Sequence, residues 1–149
     1  MNTMELHALL GDPERAGAYF VDARDREALV EAGRALRFSV QALDLHTCTD
    51  TDAVLREIAE ALAFPDWFGG NLDALADCLN DLSWLSAPGY LLVLEHIGPW
   101  REQAVDDVEA VIEILQDAAA RWAGDGVPFW AMLPLPSHEL AAVEGADED

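Results

Sequence analysis

The part of the sequence that most constrains the fold is a nearly unbroken apolar run at residues 90–97, YLLVLEHI. A strand with one solvated face alternates apolar and polar residues, whereas a continuous apolar run is typical of a strand buried on both faces. Such strands belong to parallel sheets, whose crossover connections are usually helices. The run therefore favours a parallel sheet packed with helices.

The rest of the chain supplies the elements that such a sheet needs. Apolar residues at helical spacing predict helices, and short apolar or alternating runs predict strands. The predicted strands are residues 18–22, 38–45, 90–97 and 127–133, and the predicted helices are residues 25–36, 52–63, 72–82 and 106–122. We therefore predict an α/β domain with a small parallel sheet of three strands and a fourth from the N-terminal segment.

The chain is predicted to have three parts. A length of 149 residues suits one compact domain. Residues 1–37 are predicted to be an N-terminal extension with an extra strand and helix, and residues 38–136 to be the main domain. Residues 137–149 are predicted to be an acidic, flexible tail. Gly98-Pro99 is expected to end the third strand.

Charge limits the class of partner. The chain has 29 acidic residues against 8 basic ones, a net charge of −21. Residues 1–37 hold five Arg and seven acids, so residues 38–149 carry almost all of the excess. Such a field repels nucleic acid and anionic membranes, and it attracts cations or basic proteins. It also has a simpler interpretation, since acidic surfaces keep many proteins soluble.

The N-terminus and the cysteines indicate the compartment. The first ten residues include Glu5 and lack the basic start, apolar stretch and cleavage site of a secretory signal. We therefore expect a cytoplasmic protein. Cys48 and Cys78 are too few for a disulfide scaffold and are predicted to be free thiols. No apolar run approaches the ~20 residues that cross a bilayer.

Enzyme motifs are largely missing from the sequence. Gly69-Gly70 has no Lys nearby and does not form a phosphate loop, and the four histidines share no metal-ligand spacing. His46 and His96 fall at the ends of predicted strands, where a single histidine is more often structural than catalytic. Carboxylates beside Cys78 should raise the pKa of its thiol, which argues against a nucleophile. We predict no catalytic residue, cofactor or metal site.

Three carboxylates stand out on the predicted helix 72–82. Asp73, Asp77 and Asp81 are spaced i, i+4 and i+8 and therefore share one face, where like charges repel one another by roughly 0.2–0.5 kcal/mol per pair. Asp73 is favoured by the helix dipole in the first turn, but Asp81 is not. The row is consistent with a solvated face, with a Mg²⁺-dependent site centred on the first two, or with a surface for a cationic partner.

An aromatic loop before this helix favours the last interpretation. Trp67 and Phe68 precede Gly69-Gly70, and Asn71 can cap the helix. Large aromatic side chains beside unpaired carboxylates are typical of a protein-binding hot spot. The sequence therefore predicts a binding protein rather than an enzyme.

Residues 64–79, FPDWFGGNLDALADCL, resemble the motif of barstar-type ribonuclease inhibitors: Pro, acid, two aromatics, Gly, any residue, Asn-Leu-Asp-Ala-Leu, any residue, Asp-Cys-Leu. The order of elements from 38 to 133 fits as well. The resemblance implies a barstar-like domain over residues 38–136 and a cytoplasmic immunity protein that blocks a basic, secreted or toxin ribonuclease. It implies a monomer or weak dimer. The alternative is a regulatory or interaction module of the same fold with no nuclease target.

The resemblance also implies which residues contact the partner. In that family the aromatic loop and the following helix cover the enzyme's phosphate-binding groups, with carboxylates in place of RNA phosphate. The implied partner-binding residues are Trp67, Phe68, Gly69, Asn71, Asp73, Ala76, Asp77, Asn80, Asp81 and Asp117. Ala76 stands where the best-known member has a Trp that packs on the enzyme, and Asp81 stands where that member has Gly.

Overall fold

The computed structural model describes residues 2–147, and its centre is a sheet of four parallel strands. The strands are β1 (Ala18–Asp22), β2 (Ser39–Asp44), β3 (Tyr90–Glu95) and β4 (Phe129–Leu135). They lie in the order β1-β4-β3-β2, so the apolar run of the sequence forms the interior strand β3. The predicted α/β class, the parallel sheet and the fourth strand are confirmed.

Helices connect and cover the strands. They are α1 (Thr3–Leu10), α2 (Arg26–Ala35), α3 (Thr51–Ala61), α4 (Leu72–Asp81), α5 (Gly98–Gln103), α6 (Val105–Ala123) and α7 (Ser137–Asp147), with a 3-10 turn at Ala23–Asp25. Every predicted helix and strand is present, with ends within two residues of the prediction. Within residues 2–147, no helix is both long enough and apolar enough to span a membrane.

Alternate side chains of β3 enter two separate cores. Leu92 and Leu94 belong to the larger core, which α3, α4 and α6 also enter, whereas Leu91 and Val93 belong to the smaller core, which α2 enters. All four are at most 1% exposed. A strand with both faces buried has no room for polar residues, and this explains why the run is continuous.

The N-terminal segment is part of the same sheet. β1 pairs with β4, with Ala18 opposite Ala131. The end of α1 is tied to the sheet by Trp130 of β4, whose indole N–H donates a hydrogen bond of 2.9 Å to the carbonyl of Leu10. The predicted extra strand and helix are therefore β1 and α2, and α1 is an additional helix that the prediction lacked.

β1 forms one edge of the sheet. Ala131 N–H donates to the carbonyl of Gly17, so the backbone groups of Ala18 point away from β4. The carbonyl of Ala18 instead accepts a hydrogen bond of 3.0 Å from the side-chain amide of Gln116 on α6. The exposed edge is thus partly closed by a side chain of its own chain.

Two further helices depart from the sequence prediction. Pro99 follows the end of β3, as predicted, but it also lies in the first turn of α5, a helix that the prediction lacked. Its missing N–H has no intrahelical partner to lose there. The segment 137–149 was expected to be a flexible tail, but it forms α7 as far as Asp147. Leu140 and Val143 pack against the larger core and hold this helix in place. Residues 148 and 149 lie outside the described residues.

Candidate protein-binding surface

Helix α4 begins and ends at positions that its sequence specifies. The side-chain oxygen of Asn71 accepts a hydrogen bond of 2.8 Å from the N–H of Ala74, so Asn71 caps the helix as predicted. At the other end Leu82 adopts a left-handed conformation with φ 45°, which stops the helix after Asp81. Leu75 and Leu79 are fully buried and fix the side of α4 that faces the larger core.

The opposite side of α4 presents the three carboxylates. Asp73, Asp77 and Asp81 are all exposed, and none of them forms an ion pair with a cation among the described residues. With a rise of 1.5 Å per residue, successive members of the row are about 6 Å apart along the axis. The row therefore carries three negative charges over about 12 Å, and no described residue neutralises them through an ion pair.

The loop before α4 divides its two aromatic side chains between the core and the solvent. Phe68 is half-buried and packs edge-on against Phe64, with ring centroids 4.9 Å apart. Trp67 points outward and is 55% exposed. Gly70 has φ +73°, a conformation that favours glycine, and it leads the chain from the loop into the Asn71 cap. Trp67 is therefore the large apolar side chain that this loop exposes to solvent.

Trp84 packs against Trp67, although the two are separated in sequence by the whole of α4. Their rings meet edge to face, with centroids 6.2 Å apart and an interplanar angle of 86°. Trp84 also meets Phe64 edge to face, and its indole N–H donates a hydrogen bond of 2.9 Å to the carbonyl of Leu62. No spacing rule connects residues 67 and 84, so the sequence alone did not indicate this contact.

The remaining predicted partner-binding residues are placed differently. Gly69 is exposed, whereas Ala76 is half-buried. Asn80 is also half-buried, and its side-chain oxygen is shielded from solvent without a hydrogen-bond partner among the described residues. Asp117 is exposed on α6, the helix that packs against α4. We call the exposed side chains of Trp67, Asp73, Asp77 and Asp81 together the α4 surface.

Comparison with known families identifies this domain. The family described as Barstar (barnase inhibitor) matches residues 38–134, which contain β2, β3, most of β4 and the entire α4 surface. The chain belongs to the barstar family. The match begins one residue after the end of the predicted extension, so β1, α1 and α2 lie outside it.

Other comparisons extend only to the fold. No curated protein matches the sequence closely enough to suggest a relative. Among solved structures, a chain in "Structure of Drosophila ORC bound to DNA" superimposes with a TM-score of 0.54 at 15% sequence identity. The alignment covers 92% of this chain and 37% of that chain. At this identity the likeness concerns the arrangement of helices and strands alone.

The cysteine within the barstar motif is buried in surroundings that disfavour its thiolate form. Cys78 is fully buried on α4, and burial raises the pKa of its thiol. The negative charges of Asp77 and Asp81 raise it further. The direction predicted from the sequence is confirmed, and the thiolate needed for nucleophilic chemistry is disfavoured here.

The strand-end histidines meet at one carboxylate. Asp44, at the end of β2, has one side-chain oxygen 2.9 Å from Nδ1 of His46 and 2.8 Å from Nδ1 of His96. The hydrogen bond from His96, together with that from the His46 backbone N–H, lowers the pKa of Asp44 to about 2. All three side chains are exposed. Among the described side chains, no three His, Cys, Asp or Glu are arranged to hold a metal ion.

Proposed function

We propose that this barstar-family protein inhibits a basic ribonuclease by covering its active site with the α4 surface. The observation that carries the proposal is the row of three carboxylates, unpaired with any cation of the described residues, beside the exposed Trp67. This row lies inside the region that matches the barnase-inhibitor family. A ribonuclease must hold RNA phosphates with cationic groups. Exposed carboxylates at regular spacing can occupy those groups in place of phosphate.

Charge supports this partner class at long range as well as in contact. The net charge of −21 speeds the approach of a cationic protein and slows that of an anionic one. Asp77 lies in the middle of the row, where a bound partner would exclude water most completely, and so we assign it the largest share of the binding free energy. In this proposal the protein acts in the cytoplasm and protects the cell that makes the nuclease.

The test is inhibition of a basic ribonuclease, with barnase as the first probe because the family description names it. Wild-type protein should inhibit RNA cleavage and bind tightly, with a dissociation constant that rises steeply with salt. Asp77→Asn should weaken binding by at least about 2 kcal/mol, or roughly 30-fold, because a buried cation of the enzyme then loses its partner. This expected loss is taken from charged residues in the barnase–barstar complex, where such effects have been measured.

The matched control is Glu31→Gln, which removes one exposed negative charge from α2, outside the family match. It should change the association rate slightly and leave the dissociation rate unaltered. If the wild-type protein inhibits neither barnase nor a panel of other basic ribonucleases, the proposal fails. The alternative, a protein-interaction module without a nuclease target, would then be pursued by co-purification from the source cells.

A further inference from the structure

We propose that Trp84 is a positioning residue that fixes the exposed ring of Trp67 for contact with the partner. The inference rests on the proposed function, since it concerns the same surface. Trp84 belongs to the segment that follows α4, whereas Trp67 belongs to the loop that precedes it. The contact between the two rings therefore joins the segments that flank the two ends of α4.

Trp84 is anchored by contacts other than the one with Trp67. Its indole N–H bonds to the carbonyl of Leu62, and its ring packs against Phe64, which in turn packs against Phe68. Phe64, Phe68 and Trp84 all contact the larger core. The exposed Trp67 is thus the outermost member of an aromatic series that is fixed at its base.

Trp67 needs such a support because its own loop provides little. The two residues after Phe68 are glycines, both exposed, and the ring of Trp67 is more than half exposed. A mobile side chain must lose rotamer freedom when a partner binds it, and a ring that is already fixed loses less. Edge-to-face contact with Trp84 restricts the ring before binding. Ala76, half-buried on α4, offers only a methyl group as further apolar contact.

The first experiment needs no partner. The ring current of Trp84 should displace the indole proton resonances of Trp67, so Trp84→Leu should move those resonances toward the values of a free indole. Trp122→Leu is the matched control. Trp122 is also half-buried and donates its indole N–H to a backbone carbonyl, that of Leu79, but its ring packs against Tyr90. It should destabilise the fold and leave the Trp67 resonances in place.

The second experiment measures coupling in binding to barnase. Trp84→Leu should weaken binding by about 3- to 10-fold, the expected effect of releasing one large side chain. In the Trp67→Ala background the same substitution should have almost no further effect, because its action passes through Trp67. Trp84→Phe keeps a ring beside Trp67 while losing the bond to Leu62, and it should restore most of the affinity.

The two experiments separate this inference from the proposed function. Unchanged Trp67 resonances in a folded Trp84→Leu protein would overturn the positioning role, as would equal losses of affinity in the wild-type and Trp67→Ala backgrounds. If Trp84→Leu does not fold, the resonances of Trp84→Asn and Trp84→Phe are compared, and equal Trp67 shifts in these two would also contradict it. If barnase does not bind the wild type, the inhibitor proposal loses its first probe, and the resonance experiment still decides whether Trp84 positions Trp67.

Discussion

The side-chain oxygen of Asn71 lies 2.8 Å from the backbone nitrogen of Ala74, and the side-chain oxygen of Asp50 makes the same contact with Ala53 at 2.8 Å. Helices α4 and α3 therefore begin with equivalent caps. The Asn71 cap lies between Trp67 and Asp73 of the α4 surface, whereas the Asp50 cap lies outside that surface. The two positions make it possible to separate the effect of a cap on stability from its effect on binding.

Asn71→Ala should lower the free energy of unfolding by roughly 0.5–2 kcal/mol, because an N–H of the first turn loses its acceptor. Asp50→Ala should lower it by a similar amount. Of the two variants, we expect only Asn71→Ala to weaken barnase binding, since fraying of the first turn of α4 displaces Asp73. Denaturant unfolding and binding isotherms on both variants check this. Equal losses of affinity in the two variants would contradict a specific role for the α4 cap.

Gly70→Ala should destabilise the protein by about 1 kcal/mol. Gly70 has φ +73°, and an L residue in the left-handed region costs roughly 1–2 kcal/mol even though a Cβ there would meet no atom within 4 Å. Gly69→Ala is the control. Its φ lies outside that region, and its Cβ would make only ordinary contacts with Asn71 and Ala74. Thermal or denaturant unfolding should therefore show a loss for Gly70→Ala and little change for Gly69→Ala.

Asp81→Asn should stabilise the fold while it weakens binding. Asp81 is the last residue of α4, where the helix dipole disfavours an anion, and it repels Asp77 one turn earlier. Removing its charge should raise the free energy of unfolding by about 0.5 kcal/mol. Asp73→Asn, in the first turn, should give no such gain because the dipole favours a carboxylate there. A fall in stability for Asp81→Asn would contradict this view of the row.

The carboxylate of Asp44 should make folding stability depend on pH in the acid range. Hydrogen bonds from His96 and the His46 backbone hold the pKa of Asp44 near 2, below its ordinary value of 3.8. A group with a lowered folded pKa stabilises the native state above its unfolded pKa and loses that effect as pH falls. The contribution should therefore be present above about pH 4 and disappear toward pH 2.

Asp44→Asn should flatten the pH dependence of the unfolding free energy across this window, as measured by urea unfolding at successive pH values. His96→Asn removes the largest cause of the shift, and asparagine tolerates the φ of 58° at this position. It should flatten the same region of the profile. A wild-type slope that persists in both variants would show that other groups carry the dependence.

The sequence predicted the elements of this fold well wherever a local pattern decided them. The continuous apolar run of β3 was sufficient to predict a strand buried on both faces. Helix α4 could be predicted from its Asn71 cap and from its inward leucines at helical spacing. The end of β3 before Gly98-Pro99 was predicted, but α5 was missed because a Pro that follows a strand does not by itself show that a helix begins there. α7 was missed because Leu140 and Val143 become informative only once the core that receives them is known.

The candidate site was predictable in part for the same reason. Asp73, Asp77 and Asp81 share a face by helix geometry alone, and the motif around them is contiguous. The pairing of Trp67 with Trp84 and the meeting of His46 with His96 are tertiary, and no spacing in one sequence encodes them.

The hydrogen bond from Gln116 to the carbonyl of Ala18 has a consequence for how these molecules behave at high concentration. An open strand edge is a template on which another chain can add a strand, and such additions can propagate into aggregates. A strand that pairs with β1 at Ala18 must first displace the Gln116 amide. The N-terminal strand thus widens the sheet, and Gln116 leaves less of the new edge open to self-assembly.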